Sequence, residues 1–159
     1  MIAIIYPKDD WDAIELAFKV QAIASSKGYK VYSPPKNSRR DNAEVFLQLN
    51  KVQYGIFLAY SSKKIDNDTL DELKYLVKNR KPVYSILPEK LTAKIKDVGF
   101  RENVYSFKTD DYKAAIESIN KAIDDIQTQT KEATTPLIGA LILFGIILLL
   151  LLLFLGKSD

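Results

Sequence analysis

Four acids, Asp66, Asp68, Asp71 and Glu72, fall within seven residues. Carboxylates so close together can act as nucleophile, base or electrostatic stabiliser. The same spacing also has a purely structural meaning. Thr69-x-x-Glu72 reads as a capping box, and acids in a first helical turn suit the helix dipole. The rest of the composition narrows the chemistry. The 159 residues contain neither histidine nor cysteine. Thiol nucleophiles, disulfides, Ser-His-Asp triads and cysteine or histidine metal sites are therefore excluded. No G-x-G-x-x-G and no Walker lysine motif occurs, so the usual signatures of redox dinucleotide binding and phosphoryl transfer are missing. No metal and no cofactor is expected. Carboxylates, lysines, hydroxyls and backbone amides remain.

The elements that must position these acids follow from alternating apolar periods over residues 1–127. Strands are expected at Ile2–Tyr6, Tyr29–Ser33, Tyr54–Tyr60, Val83–Leu87 and Val104–Phe107. Helices are expected over Asp10–Lys27, Asp41–Asn50, Thr69–Lys78 and Leu91–Asp97, with a fifth from Asp110. Ile14, Ala17, Phe18 and Ile23 are assigned to the inner face of the first helix, and Gly28 ends it. Leu70, Leu73, Leu76 and Val77 are assigned to the inner face of the third. The apolar stripe of the fifth runs from Tyr112 through Ala115, Ile116, Ile119, Ala122 and Ile123 to Ile126. Strict strand–helix alternation implies an α/β fold with a parallel sheet covered on both faces. Strands one, three and four are nearly continuous apolar runs and belong in the centre. Strands two and five alternate more and belong at the edges. That matches a doubly wound, flavodoxin-like sheet of order 2-1-3-4-5, whose site lies at the carboxyl ends of strands one and three. Tyr6, Tyr60 and Ser61 stand at those ends, and Asp66, Thr69 and Glu72 follow close behind.

Beyond residue 127 the composition changes. Residues 128–135 are polar and read as a short tether or a continuation of the fifth helix. Residues 136–156 carry no charge. Roughly 20 apolar residues match a hydrocarbon core of about 30 Å, so a single transmembrane helix is expected there, with residues 157–159 as a tail. The expected arrangement is a membrane protein crossing the bilayer once, its head on the cytoplasmic side. The formal net charge of +3 comes from interleaved lysines and acids. No basic stripe forms, so nucleic acid is not an expected partner.

The stretch from Asp66 through Thr69 and Glu72 to Lys81-Pro82-Val83 resembles the nucleoside 2-deoxyribosyltransferase-like pattern D-x-G-T-x-x-E-x-G-x-A followed by K-P-V. Ile5-Tyr6-Pro7 and the run from Gly28 to Pro34 fit the same pattern at the start of the chain. The resemblance covers most of residues 1–127 and nothing beyond. TIR domains share a similar sheet and a comparable helix glutamate.

This likeness implies N-glycosidic chemistry on a nucleoside, or on NAD in a TIR-like version. Glu72 would be the nucleophile and Asp66 would orient the sugar or base. Tyr6, Tyr60, Ser61 and Thr69 would line the substrate site. Three family positions depart: Asp68, Lys74 and Leu76 stand where the pattern has glycine, glycine and alanine. Lysine and leucine there would fill the space in which a sugar approaches the helix. A non-catalytic, membrane-tethered binding or assembly module, homo-oligomeric or recruiting a partner, is the alternative. A receiver-like comparison through Asp9, Asp10, Ser85 and Lys108 lacks an acceptor aspartate at the end of strand three.

Overall fold

The computed structural model describes residues 1–61, 65–96 (backbone alone for 93–96), 103–109 and 111–131. The expected transmembrane segment 136–156 lies outside the described residues. Among those, no helix is long and apolar enough to cross a membrane. The chain divides into two compact units, Met1–Ile123 and Asp124–Asp159. In the second, the described residues 124–131 are helical. There the Thr128 and Thr130 hydroxyls donate back to the carbonyls of Asp124 and Ile126.

The first unit runs β1 (Ile2–Ile5), α1 (Trp11–Ser26), β2 (Val31–Tyr32), α2 (Asn42–Lys51), β3 (Tyr54–Leu58), α3 (Asn67–Lys78), β4 (Val83–Pro88), α4 (Glu89–Lys96) and β5 (Val104–Phe107). Helix α5 follows over residues 112–123. All strand pairs are parallel, in the order β2-β1-β3-β4-β5. The α/β class, the sheet order and the placing of edge and centre are therefore as the periodicity predicts. The first edge is shorter than expected. Only Ile2↔Val31 and Ala3↔Tyr32 pair β1 with β2, and Pro34-Pro35 beyond them offer no N–H to continue the ladder.

Side chains alternate across the sheet. Ala3, Ile5, Phe57, Val83 and Leu87 face one way and pack with Val45 and Leu49 of α2 and Leu73 and Leu76 of α3. Ile2, Ile4, Ile56, Leu58, Tyr84 and Ile86 alternate with them and are fully buried on the other side. Helix α1 presents Ala13, Leu16, Ala17, Val20 and Ala24 inward. Phe18 is on its outer face, contrary to the inner face expected for it, and is 66% exposed. Val77 of α3 is likewise exposed, because the buried stripe runs Thr69, Glu72, Leu73, Leu76.

Two local devices hold the helices at these distances. Gly28, at φ +83°, sits in the left-handed region that closes α1. Its N–H donates to Ser25 O at 3.0 Å, and the Tyr29 N–H donates to Ala24 O at 3.0 Å. Gly55 on β3 lets α3 approach the sheet: a Cβ there would stand 2.5 Å from Leu76 Cδ1 and 3.4 Å from Val83 Cγ2. Leu76 is fully buried, so its side chain must repack within the core to admit the new methyl group. Gly55→Ala is expected to lower stability by about 1–3 kcal/mol, read as a lower urea midpoint with an unchanged slope. An unchanged midpoint would show that α3 shifts freely over β3.

Candidate functional site

The acids meet at the carboxyl ends of β1 and β3, where α3 begins. Asp66 is the N-cap of α3, and its carboxylate accepts from the Thr69 N–H at 3.0 Å. Its second oxygen accepts from the Lys8 N–H at 3.1 Å and lies 2.9 Å from Thr69 Oγ1. Thr69 Oγ1 is also 3.1 Å from the Tyr6 carbonyl, so its one proton has two acceptors. Asp66 and Thr69 thus tie the start of α3 to the loop after β1. Burial pushes the Asp66 pKa up, but the hydrogen bonds from Thr69 and Lys8, with help from the nearby Lys36 charge, more than offset this and hold it below the usual carboxylate range.

The Thr69–Glu72 capping box does not form. With Asp66 as N-cap, Thr69 takes the third helical position and Glu72 the sixth. Glu72 is fully buried and turns towards the loop between β2 and α2. Lys36 Nζ donates to both of its oxygens, at 3.0 and 2.8 Å, and Arg40 Nη1 to Oε1 at 2.5 Å. Lys36 Nζ is also within 3.2 Å of Thr69 Oγ1 and stands over the Tyr6 ring, 5.7 Å from its centroid. Arg40 is held in turn by the Pro35 carbonyl at 3.1 Å and Asn42 Oδ1 at 2.7 Å. The side chains of Lys36 and Arg40 are only 11% and 7% exposed.

Burial raises the Glu72 pKa; Lys36 and Arg40 pull it down without cancelling the rise. Burial also raises the Tyr6 hydroxyl pKa, and the Glu72 charge adds to the effect.

Four of the sequence-derived residues, Tyr6, Asp66, Thr69 and Glu72, are therefore gathered into one polar cluster with Lys36 at its centre. Tyr60 and Ser61 are held elsewhere. Their N–H groups both donate to Asp10 Oδ2 at 2.9 Å, and the Tyr60 ring packs against Phe107 at 5.4 Å between centroids. Asp10 is 2% exposed and is the N-cap of α1, accepting from the Ala13 N–H at 3.1 Å.

The departures from the family pattern have plain positions. Lys74 points to solvent near Asp71, and Leu76 packs in the core under Gly55. Lys74 is thus turned away from Glu72, while Leu76, one turn further along, shares its buried stripe. The groups that cover Glu72 are Lys36 and Arg40, which were not among the sequence-derived candidates. Their one signal was a cluster of cations (Lys36, Arg39, Arg40) directly after Pro34-Pro35. Lys81, in the K-P-V part of the pattern, braces the end of α2, where its Nζ donates to the carbonyls of Asn50 and Val52 at 2.5 and 2.6 Å. Ser85 lies mid-strand in β4 and is fully buried.

Two clefts open beside the segments that carry these groups. One, of about 410 Å³, is lined by Lys8, Asp9, Ile65, Asp66, Asn67 and Asp68. The other, of about 430 Å³, includes Tyr32, Pro35, Arg39 and Glu44. Glu72 lines neither. Among the described residues no group of three acids can hold a metal ion. No family model matches the chain, and no curated protein matches it.

Proposed function

We propose that residues 1–127 form a nucleoside- or NAD-handling head, held at a bilayer by residues 136–156, in which Glu72 is the carboxylate that faces the sugar. The convergence of Tyr6, Asp66, Thr69 and Glu72 at the carboxyl ends of β1 and β3 carries this reading. A site for a small ligand is expected at that point of such a sheet. Glu72 attacks the anomeric carbon in this proposal. The C1′–N bond breaks, its electron pair leaves with the base, and an Oε–C1′ bond forms, which water or a second acceptor then cleaves. Asp66, kept ionised by its hydrogen bonds, stabilises the positive charge that develops on the sugar.

Lys36 and Arg40 must release Glu72 before a sugar can reach it. Both come from the single loop between β2 and α2, so one loop movement frees both contacts. The same closure favours a second reading, a non-catalytic membrane-tethered module that recruits a partner or senses a nucleotide without turnover. The full chain, purified in mild detergent and incubated with NAD and with 2′-deoxynucleosides, separates the two. Free base should appear, and Glu72→Gln should slow its release by at least about 100-fold, as loss of a nucleophile does. Ligand-induced thermal stabilisation without any base released would decide for the recruiting module. The anchor is tested separately: the chain should float with liposomes and resist alkaline carbonate, and deletion of 136–159 should abolish both.

A further inference from the structure

The outer face of α1 carries a feature that the Glu72 site does not use. Trp11 is 77% exposed and Phe18 is 66% exposed. They are seven residues apart, two helical turns, so they lie on one line about 10 Å long. Half-buried Ile14 and exposed Glu15 stand between them. Tyr112 of α5 adjoins the line, its hydroxyl donating to Glu15 Oε1 at 3.0 Å. Large aromatics are rarely left this bare on a monomer surface.

The charges beside the two aromatics differ in sign. Asp12 follows Trp11, Lys19 follows Phe18, and both are exposed. A stripe with an aromatic and an acid at one end, and an aromatic and a base at the other, is complementary to itself when reversed. Two copies of α1 laid antiparallel about a two-fold axis near Ile14 set Trp11 over Phe18 of the second copy and Asp12 beside its Lys19. Each such contact occurs twice, as a two-fold interface requires.

We infer that the Trp11–Phe18 face of α1 is a docking surface for a second copy of this chain, paired antiparallel through α1. The pairing does not depend on chemistry at Glu72.

The chain has no cysteine, so single introduced thiols report on it directly. Full-length Asp12→Cys and Lys19→Cys chains, tagged differently and mixed, are treated with a short bis-maleimide. The mixed cross-link should exceed either homotypic product, and Leu47→Cys on the exposed face of α2 should give none. Asp12→Lys should weaken self-association by about tenfold, equivalent to about 1.4 kcal/mol. The double exchange of Asp12→Lys with Lys19→Asp should restore it, which a merely structural lesion would not allow. A mixed cross-link no stronger than the Leu47→Cys control overturns the pairing. So does an Asp12→Lys chain that associates like the parent. Trp11 is the only tryptophan, and quenching of its emission by brominated lipids in place of cross-linking would assign the face to the bilayer surface and equally overturn the pairing.

Discussion

Arg40→Ala is expected to destabilise the fold by about 3–5 kcal/mol at pH 8, the usual consequence of removing one partner from a buried ion pair. Arg40 is 7% exposed and Glu72 fully buried, so water cannot replace the lost guanidinium. Lys36→Ala should cost a comparable amount, because Lys36 donates to both Glu72 oxygens, although Arg40 would remain on Oε1. The loss should also depend on pH. The ordinary glutamate pKa is 4.5, and burial already raises that of Glu72 in the folded chain. Removing a cation raises it further. A group whose folded pKa lies above its unfolded one binds protons more tightly when folded, so protonation favours the fold. The added penalty is absent below the unfolded value and complete only above the raised folded value. Urea midpoints of parent and variant should therefore lie closer together at pH 5 than at pH 8. An equal gap at both would assign the loss to packing rather than charge. Changing Glu72, Arg40 and Lys36 together to methionine should recover much of the stability, since a packed apolar cluster leaves no buried charge unpartnered, whereas changing Glu72 and Arg40 alone would strand the Lys36 ammonium.

Asp10→Ala should be nearly as damaging, at about 3 kcal/mol or more. Three backbone N–H groups, of Ala13, Tyr60 and Ser61, converge on this one carboxylate. Hydrogen bonds to a charged acceptor each contribute about 1.5–3 kcal/mol, and donors left buried without a partner carry a further cost. Asp10→Asn should retain part of the effect, because the amide has one acceptor oxygen. Thermal unfolding ranks the three proteins as parent, Asn, Ala. Amide exchange at Tyr60 and Ser61 should quicken in the same order. Unchanged exchange at these two amides would show that Asp10 caps α1 without clamping β3 to it.

The sheet was legible because its strands differ in their solvent contact. β1, β3 and β4 are apolar on both faces and sit inside; β2 and β5 alternate and sit at the edges. The failures have physical causes as well. On α1 the sheet is approached by small residues, Ala13, Ala17 and Ala24. The bulky Phe18 faces outward, so a reading by hydrophobicity alone puts it on the wrong side. At the start of α3 the sequence offers two overlapping caps of the same spacing, Asp66-x-x-Thr69 and Thr69-x-x-Glu72. The first forms, because Asp66 also collects the Lys8 N–H. Glu72 is then free to reach Lys36 and Arg40, 36 and 32 residues earlier in the chain. Pairings across such separations, from a loop with no periodicity, leave no local trace beyond a cluster of cations. The motif residues Asp66, Thr69 and Glu72 were visible in advance. The two groups that cover Glu72 were not.

The nucleophile assignment is tested most directly by trapping. A 2′-deoxy-2′-fluoro nucleoside slows breakdown of a glycosyl–carboxylate ester by drawing electrons from the anomeric centre, so the intermediate accumulates. After incubation, the intact mass of the full chain should rise by one fluorodeoxyribosyl group. Peptide mapping should place it on Glu72, and the Glu72→Gln chain should remain unmodified. A chain that binds the nucleoside yet carries no adduct, or carries it on another residue, would contradict the proposal that Glu72 faces and attacks the sugar.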